Sequence, residues 1–505
     1  MPKNLILLVV TFSVAKICIH LVANCNYGLH ADELYYIALS KHLQWGYLDT
    51  SPLIAFVARF SSVCFGDSAF AFRIIPTLVS GCTVFMTGLT AYHLGGKRLA
   101  ITIACMAVIC SPALLATSYF LQPVVFEHFF WTLGAFLIIR YMQTSRPVFL
   151  FAFAVVIAFG ILNKYTILIY FFAIILGIII SGRLKGILNK EVILSALLCL
   201  LIIAPNLLWQ IMNHFPAVQY IGIVKESVMN NGLKISLIPF LFFNGGGLAV
   251  WLAGIGFFLF SKPHKSYSFI AWTLVITTVL LIVLQGKIYY VLGAFPAVFA
   301  AGGICWEKIL KGRNFAWRVG LAASLILPAV IALPAVIPVL PFKTALRYFR
   351  LMRTYSDVTA PLTWDDGRVH DIPQTYADML GWEDVAAKVK QAALLLNPQQ
   401  QRGAVILTED YGLTGALAFY NRSGVPVISP NNSFMLWSPG TLNAENIIYV
   451  TDKPISEVSL PANEVTLIGK LNNRFAHHYG CGIYLLRKPS ALFKLSYRRQ
   501  REKFL

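Results

Sequence analysis

Eleven apolar stretches, at 4–24, 71–94, 99–117, 124–142, 148–163, 165–181, 191–211, 236–260, 268–285, 288–306 and 317–339, dominate the first 340 residues. A helix needs about 20 mainly apolar residues to cross a bilayer, so these runs predict a mostly α, polytopic membrane bundle of about eleven spans. Some are short or broken by Pro and Gly, which spanning helices tolerate when neighbours satisfy the freed backbone groups. Composition excludes an ordinary soluble protein, because 57% of the 505 residues are hydrophobic and only 12% charged, against about 25% charged in soluble domains. Lys3 and the apolar run to about Val22 have no small-x-small cleavage site behind them, so the segment reads as a retained first helix and not a signal peptide.

Charge divides the chain in two. Residues 1–340 carry 22 basic and 8 acidic side chains, and residues 341–505 carry 19 and 14. The basic excess does not gather on one soluble face, which excludes a nucleic-acid footprint. In the first part, Lys97 and Arg98; Arg140 and Arg146; Arg183, Lys185 and Lys190; Lys262 and Lys265; and Lys308, Lys311 and Arg313 occupy alternate short connections. By the positive-inside rule these are cytoplasmic, which places the N-terminus inside and residues 341–505 outside. In that tail, short β-type runs at 404–408, 426–429, 446–451, 465–469 and 482–486 alternate with helical stretches at 382–396 and 412–420. The pattern predicts a small soluble α/β domain. It contains no GxGxxG, Walker loop, serine elbow or HExxH. The nine cysteines fall mostly in apolar runs without a C-x-x-C pair, and His477-His478 lack partners at ligand spacing, so neither a disulfide framework nor a zinc site is supported.

Six of the eight acids before residue 341 fall on the outer side of this topology: Asp32, Glu33, Asp49, Asp67, Glu127 and Glu226. Ionisable groups at membrane depth are costly and usually functional. The first outer segment, at about 30–66, is too apolar for a free loop, and 34–44 and 51–65 carry helical spacing suited to two helices lying on the membrane surface. Asp32-Glu33 opens the first of them. Asp is a common helix cap, but adjacent carboxylates also raise each other's pKa and make one a proton acceptor.

The run Asp32-Glu33-Leu34-Tyr35-Tyr36, followed by Gly46-Tyr47-Leu48-Asp49-Thr50-Ser51-Pro52-Leu53, resembles the acidic first-loop signature of bacterial GT-C membrane glycosyltransferases. These are the glycosyltransferase family 39-like proteins of the protein-mannosyltransferase and aminoarabinose-transferase superfamily. Leu162-Asn163-Lys164-Tyr165-Thr166, Pro205 to Gln210 with His214-Phe215-Pro216, and Gly286-Lys287-Ile288-Tyr289-Tyr290 with Phe295-Pro296 are further similarities. Tyr411-Gly412 to Tyr420 and Asn432 to Trp437 are similar to a C-terminal domain of one branch, so the resemblance spans nearly the whole chain. Two departures stand out: Gln122-Pro123-Val124 leading to Glu127 replaces a usual Thr-Pro-Asp, and Ser51-Pro52 replaces a Pro-Pro.

The resemblance implies a GT-C membrane domain at 1–340, a periplasmic domain at 341–505 and a place in the bacterial inner membrane. It also implies inverting transfer of a sugar from a polyprenyl-phosphate donor to an envelope lipid, glycan or protein. One carboxylate suffices as base, since the leaving lipid phosphate is already a stable anion. Asp32 is the expected base, with Glu33 and Asp49 beside it. Lys164, Lys287 and Arg73, basic groups on the outer side where the charge rule gives no reason for them, are expected at the donor phosphate, although snorkelling to headgroups is the plainer reading of each alone. Glu127, Tyr35, Tyr289, Tyr290 and Trp209 are expected to line the acceptor or cavity, aromatic belts being the plainer alternative. No cofactor is firmly implied. Some enzymes of this fold carry a divalent cation at the acidic loop and others work without one, so the metal is left open. A secondary transporter is the main rival, but its paired halves and midplane site have no counterpart here. An assembly protein whose tail binds a partner is a second.

Overall fold

The computed structural model describes residues 1–24, 26–183, 189–220, 222, 244–355, 358–454 and 462–502. Among the described residues, seven helices are long and apolar enough to cross a membrane: Lys3–Asn24, Ala69–His93, Pro123–Thr144, Lys190–Met212, Lys262–Val283, Tyr289–Ile309 and Phe315–Val336. The other four expected spans contain shorter apolar helices, Arg98–Ile109, Val148–Asn163, Ile167–Ile180 and Gly245–Phe260. The run at 99–117 is cut at Cys110. Ser111 there accepts the Leu114 N–H and Pro112 starts a new turn, Pro112–Ala116, the position where Pro's missing N–H costs least. Residues 236–243, Lys185 and Glu226, part of the expectations above, lie outside the described residues.

We label the first ten helices α1 (Lys3–Asn24), α2 (Ala31–Ser40), α3 (Leu53–Phe65), α4 (Ala69–His93), α5 (Arg98–Ile109), α6 (Pro112–Ala116), α7 (Pro123–Thr144), α8 (Val148–Asn163), α9 (Ile167–Ile180) and α10 (Lys190–Met212). α2 and α3 correspond to the two surface helices expected between the first two spans. The bundle is apolar outside as well as inside: Leu7, Leu201, Ile331 and Phe260 are exposed, as suits a chain whose solvent is lipid.

The basic connections meet at one end. His93 contacts Arg140 at 3.0 Å, His264 reaches the Leu94 carbonyl at 3.0 Å, and Arg183 donates to Ser266 at 2.9 Å. Glu307 accepts the N–H groups of Lys97, Leu99 and Ala100, satisfying orphan donors at the start of α5.

The tail folds around a five-stranded sheet of β1 (Ala404–Thr408), β2 (Val427–Ile428), β3 (Asn446–Thr451), β4 (Ala462–Lys470) and β5 (Gly482–Pro489), in the order β2-β1-β3-β5-β4. β1 runs parallel to both β2 and β3, while β5 is antiparallel to β3 and β4. Alternation sets the two faces. Ile448 and Val450 of β3 pack with the helices Trp382–Leu394 and Tyr411–Tyr420, and Ile447 and Tyr449 pack with Phe493 and Tyr497 of the helix Ala491–Glu502. The first of these cores also holds Leu29, Ala31, Leu34 and Ile37 of the α2 region, Phe72 of α4 and Val125 of α7. One hydrophobic core therefore spans the tail and one end of the bundle, and the candidate site is built at that junction.

Candidate active site at the junction of bundle and tail

α2 starts with a capping box. The His30 side chain accepts the Asp32 N–H at 3.1 Å and Glu33 accepts the His30 N–H at 2.9 Å, so each satisfies a donor of the first turn. Adjacent helical residues point about 100° apart, so Asp32 and Glu33 go separate ways.

Glu33 turns inward. Its carboxylate meets Arg73 of α4 at 2.6 Å, with both side chains fully buried, and also accepts the Leu121 N–H at 3.1 Å. The Arg73 guanidinium spends its other donors on the carbonyls of Gly28, Asn24 and Asn26. All five of its N–H groups are thereby engaged, which leaves none for a donor phosphate. The structure thus places Glu33 and Arg73, expected at the chemistry, in a structural pair that ties α2 to α4 and to the turn before α7.

Asp32 stays half-buried and faces the tail. Tyr411, at the start of the helix Tyr411–Tyr420, donates to Asp32 Oδ1 at 2.8 Å. The Asp32 charge, together with burial, pushes the Tyr411 hydroxyl well above the usual phenol range, so it remains a donor. Tyr36 and Tyr289 lie within electrostatic reach of Asp32.

Asp49 is held by three donors: Tyr35 at 2.5 Å, Asn432 at 2.7 Å, and Ser433. Ser433 also accepts the Leu48 N–H at 3.0 Å. Burial and the Asp49 charge push the Tyr35 hydroxyl well up. Tyr35 therefore acts as a clamp on Asp49.

On the bundle side, Glu127 of α7 is buried, accepts a hydrogen bond from Thr166 and lies 3.7 Å from the Lys164 ammonium. Lys164 sits over the Tyr290 ring, 3.5 Å from its centroid, and Tyr290 packs edge-on against Tyr289. Asp32, Asp49 and Tyr290 all act electrostatically on Tyr36. Tyr36 thus lies within electrostatic range of Asp32 and Asp49 and also of the Tyr290 ring beneath Lys164. Lys287 is exposed, just before the 3-10 turn Ile288–Ala294 that carries both tyrosines, and among the described residues it makes no ion pair.

Trp209 donates to Gln44 at 3.2 Å and packs on Gly46, whose missing side chain leaves room for the ring. Asn206 reaches the Trp45 carbonyl at 2.7 Å, and Tyr165 bonds both Asn206 and Gln210. These motif residues anchor the loop between α2 and α3 onto α10, and Trp209 belongs to that anchor.

The carboxylates do not form a metal cage. Glu33 is turned onto Arg73 and Asp49 onto tail donors, and among the described residues no three His, Cys, Asp or Glu side chains could hold one ion. His477 and His478 each face aspartates instead: His477 bonds Asp378, and His478 lies 2.5 Å from Asp452 and 3.5 Å from Asp410.

The reading from sequence missed Tyr411, Asn432 and Ser433 as site residues, although it singled out the segments that contain them. Their partners lie 379 to 384 residues earlier in the chain, and no local pattern reports such a contact.

Residues 49–209 match the family model described as dolichyl-phosphate-mannose-protein mannosyltransferase. None of the curated proteins matches the chain. Sixteen chains of solved structures match, among them two of one protein. One is ArnT from Cupriavidus metallidurans bound to undecaprenyl phosphate, with TM-score 0.60 and 14% identity over 94% of this chain and 97% of that one. The other is the same protein in the apo state, with TM-score 0.60 and 13% identity over the same shares. The chain is thus a multi-pass membrane protein with the GT-C fold, and the resemblance to the protein-mannosyltransferase and aminoarabinose-transferase superfamily is borne out by the family match at residues 49–209 and by the ArnT-like fold of the whole.

Proposed function

We propose that the protein is an inverting glycosyltransferase that moves a sugar from a polyprenyl-phosphate donor to an envelope acceptor at the outer face of the bacterial inner membrane. The observation that carries this reading is the separation of the acidic pair. Glu33 is buried against Arg73, while Asp32 stays half-buried with one described hydrogen bond and free acceptor positions for a substrate hydroxyl. The family match and the likeness to an ArnT structure that holds undecaprenyl phosphate support a lipid-phosphate donor.

In this mechanism Asp32 takes the proton of the acceptor nucleophile as it attacks the anomeric carbon. The bond from that carbon to the phosphate oxygen breaks, and polyprenyl phosphate leaves as an anion. One displacement inverts the configuration. Asp49, clamped by Tyr35 and the tail, orients the acceptor. Lys164 and Lys287 stabilise the departing phosphate; Glu127 holds the Lys164 ammonium near Tyr290. Arg73 takes no part. These steps use the chain's own side chains alone.

The test is Asp32→Asn in purified full-length protein supplied with a polyprenyl-phosphate sugar and envelope extract. We expect turnover to fall by about 10²- to 10⁴-fold, with Tm and donor-lipid binding retained. Parental turnover would remove Asp32 as base, and ion-driven solute uptake into proteoliposomes would favour the transporter reading.

A further inference from the structure

Away from the carboxylates, the tail carries a basic cavity next to the last span. The helix Phe342–Tyr355 begins six residues after the span ends at Val336. Its apolar side, Ala345 and Phe349 among others, packs with Ala335, Leu362 and Tyr376. Its other side carries Lys343, Arg347 and Arg350 at helical spacing, with Arg353 next to them, all exposed. Tyr348 donates to the carbonyl of Ile331, about 7 Å back along the span from Val336 at 1.5 Å per residue. The helix is therefore pinned beside the end of a helix long and apolar enough to cross a membrane.

A cavity of about 470 Å³ opens along this helix, lined by Arg350, Arg353, His370, Asp371, Arg474 and Phe475 among others. Three guanidinium groups face one lining carboxylate. Asp371 reaches Arg353 only at 3.9 Å, with both side chains more than half exposed, which is a weak pairing. Among the described residues, Arg350 and Arg474 make no ion pair; Arg474 rests on the Phe475 ring, 4.6 Å from its centroid. His370 is occupied by Asp366 at 3.0 Å and stacks on Trp364, so among the described residues Arg350 and Arg474 are without an ion pair and Arg353 is only weakly paired. Unpaired guanidinium forks suit phosphate oxygens, and a basic patch beside a span suits an anionic membrane surface.

We propose that Arg350, Arg353 and Arg474 form a binding site for the phosphate of a lipid headgroup, separate from the sugar-transfer site and holding the tail at the membrane surface. The shared chemistry is a phosphate ester, which a free anion also offers, so the experiment separates the two sources.

Full-length protein in neutral detergent is titrated with short-chain phosphatidylglycerol, with phosphatidylcholine and with inorganic phosphate, reading Tm against concentration. We expect phosphatidylglycerol to stabilise the parent at concentrations where the other two have no effect. In R350Q/R353Q/R474Q the apparent affinity should fall by about tenfold or more. A control of equal charge change elsewhere on the tail, R402Q/R422Q/K470Q, should bind as the parent does. Equal binding by the triple variant, equal loss in the control, or inorganic phosphate matching the lipid would each overturn the proposal.

Discussion

The Tyr411 hydroxyl donates to Asp32 Oδ1 at 2.8 Å across 379 residues of sequence. The half-buried carboxylate at the start of α2 thus receives its described hydrogen bond from the tail. Asn432 and Ser433 treat Asp49 in the same way, so both acids outside the buried pair are positioned by the soluble domain.

Replacing Tyr411 by Phe removes this donor and keeps the ring. A hydrogen bond to a charged group contributes about 1.5–3 kcal/mol, so kcat is expected to drop by about tenfold or more with the KM for the lipid donor little changed. A rate equal to the parent's would show that Tyr411 does not position Asp32.

Gly415 sits where the helix Tyr411–Tyr420 crosses α2. A side chain there would lie 2.8 to 3.0 Å from the backbone of Leu34 and Tyr35. Gly415→Leu is expected to push the helix off α2, carrying Tyr411 away from Asp32 and costing more activity than Tyr411→Phe. Proteolysis should then release the tail sooner. Parental activity and protease resistance in the Leu variant would contradict this packing.

The Glu33–Arg73 pair predicts a stability loss and not a selective catalytic one. Removing one partner of a buried ion pair typically costs about 3–5 kcal/mol. Arg73→Gln and Glu33→Gln should therefore each lower Tm and folded yield, whereas Asp32→Asn should not. If Arg73→Gln kept the parental Tm and lost only donor-lipid affinity, Arg73 would return to the phosphate site.

The histidine contacts of the tail predict a pH dependence. Burial opposes charge on His478, but Asp452 and Asp410 outweigh it and raise its pKa above 6.5. A raised histidine adds stability that is complete below its unfolded pKa and is lost as pH climbs through the folded value. Burial likewise opposes charge on Asp378, yet His30 and His477 hold its carboxyl below the ordinary range. That contribution is present above about pH 4 and disappears only as pH falls through the lowered value. The tail should be most stable between these limits and should soften from about pH 6.5 upward. Melting of His478→Gln against pH checks it: the alkaline decline of the parent should flatten, and an unchanged decline would assign it to another group.

Periodicity made the elements legible. Every apolar run with described residues contains a helix, and each β-type run of the tail overlaps a strand, because burial of one face or of a whole segment writes itself into local sequence. The length of α5 was less legible, since Ser111 and Pro112 break an apolar run without making it polar. At the site, Asp32 and Asp49 could be singled out from their neighbours. The fate of Glu33 could not, because it depends on Arg73 and Leu121, 40 and 88 residues away. The two halves of Asp32-Glu33 differ only in which way the helix turns them.

Because tail partners of Asp32 and Asp49 follow them by 379 to 384 residues, the order of synthesis matters. The bundle is made first and holds both acids without Tyr411, Asn432 and Ser433 until the tail has followed it. A bundle without the tail would leave Asp32 and Asp49 without these donors and would leave part of a shared hydrophobic core unfilled. Transfer would begin only when the finished tail settles onto α2.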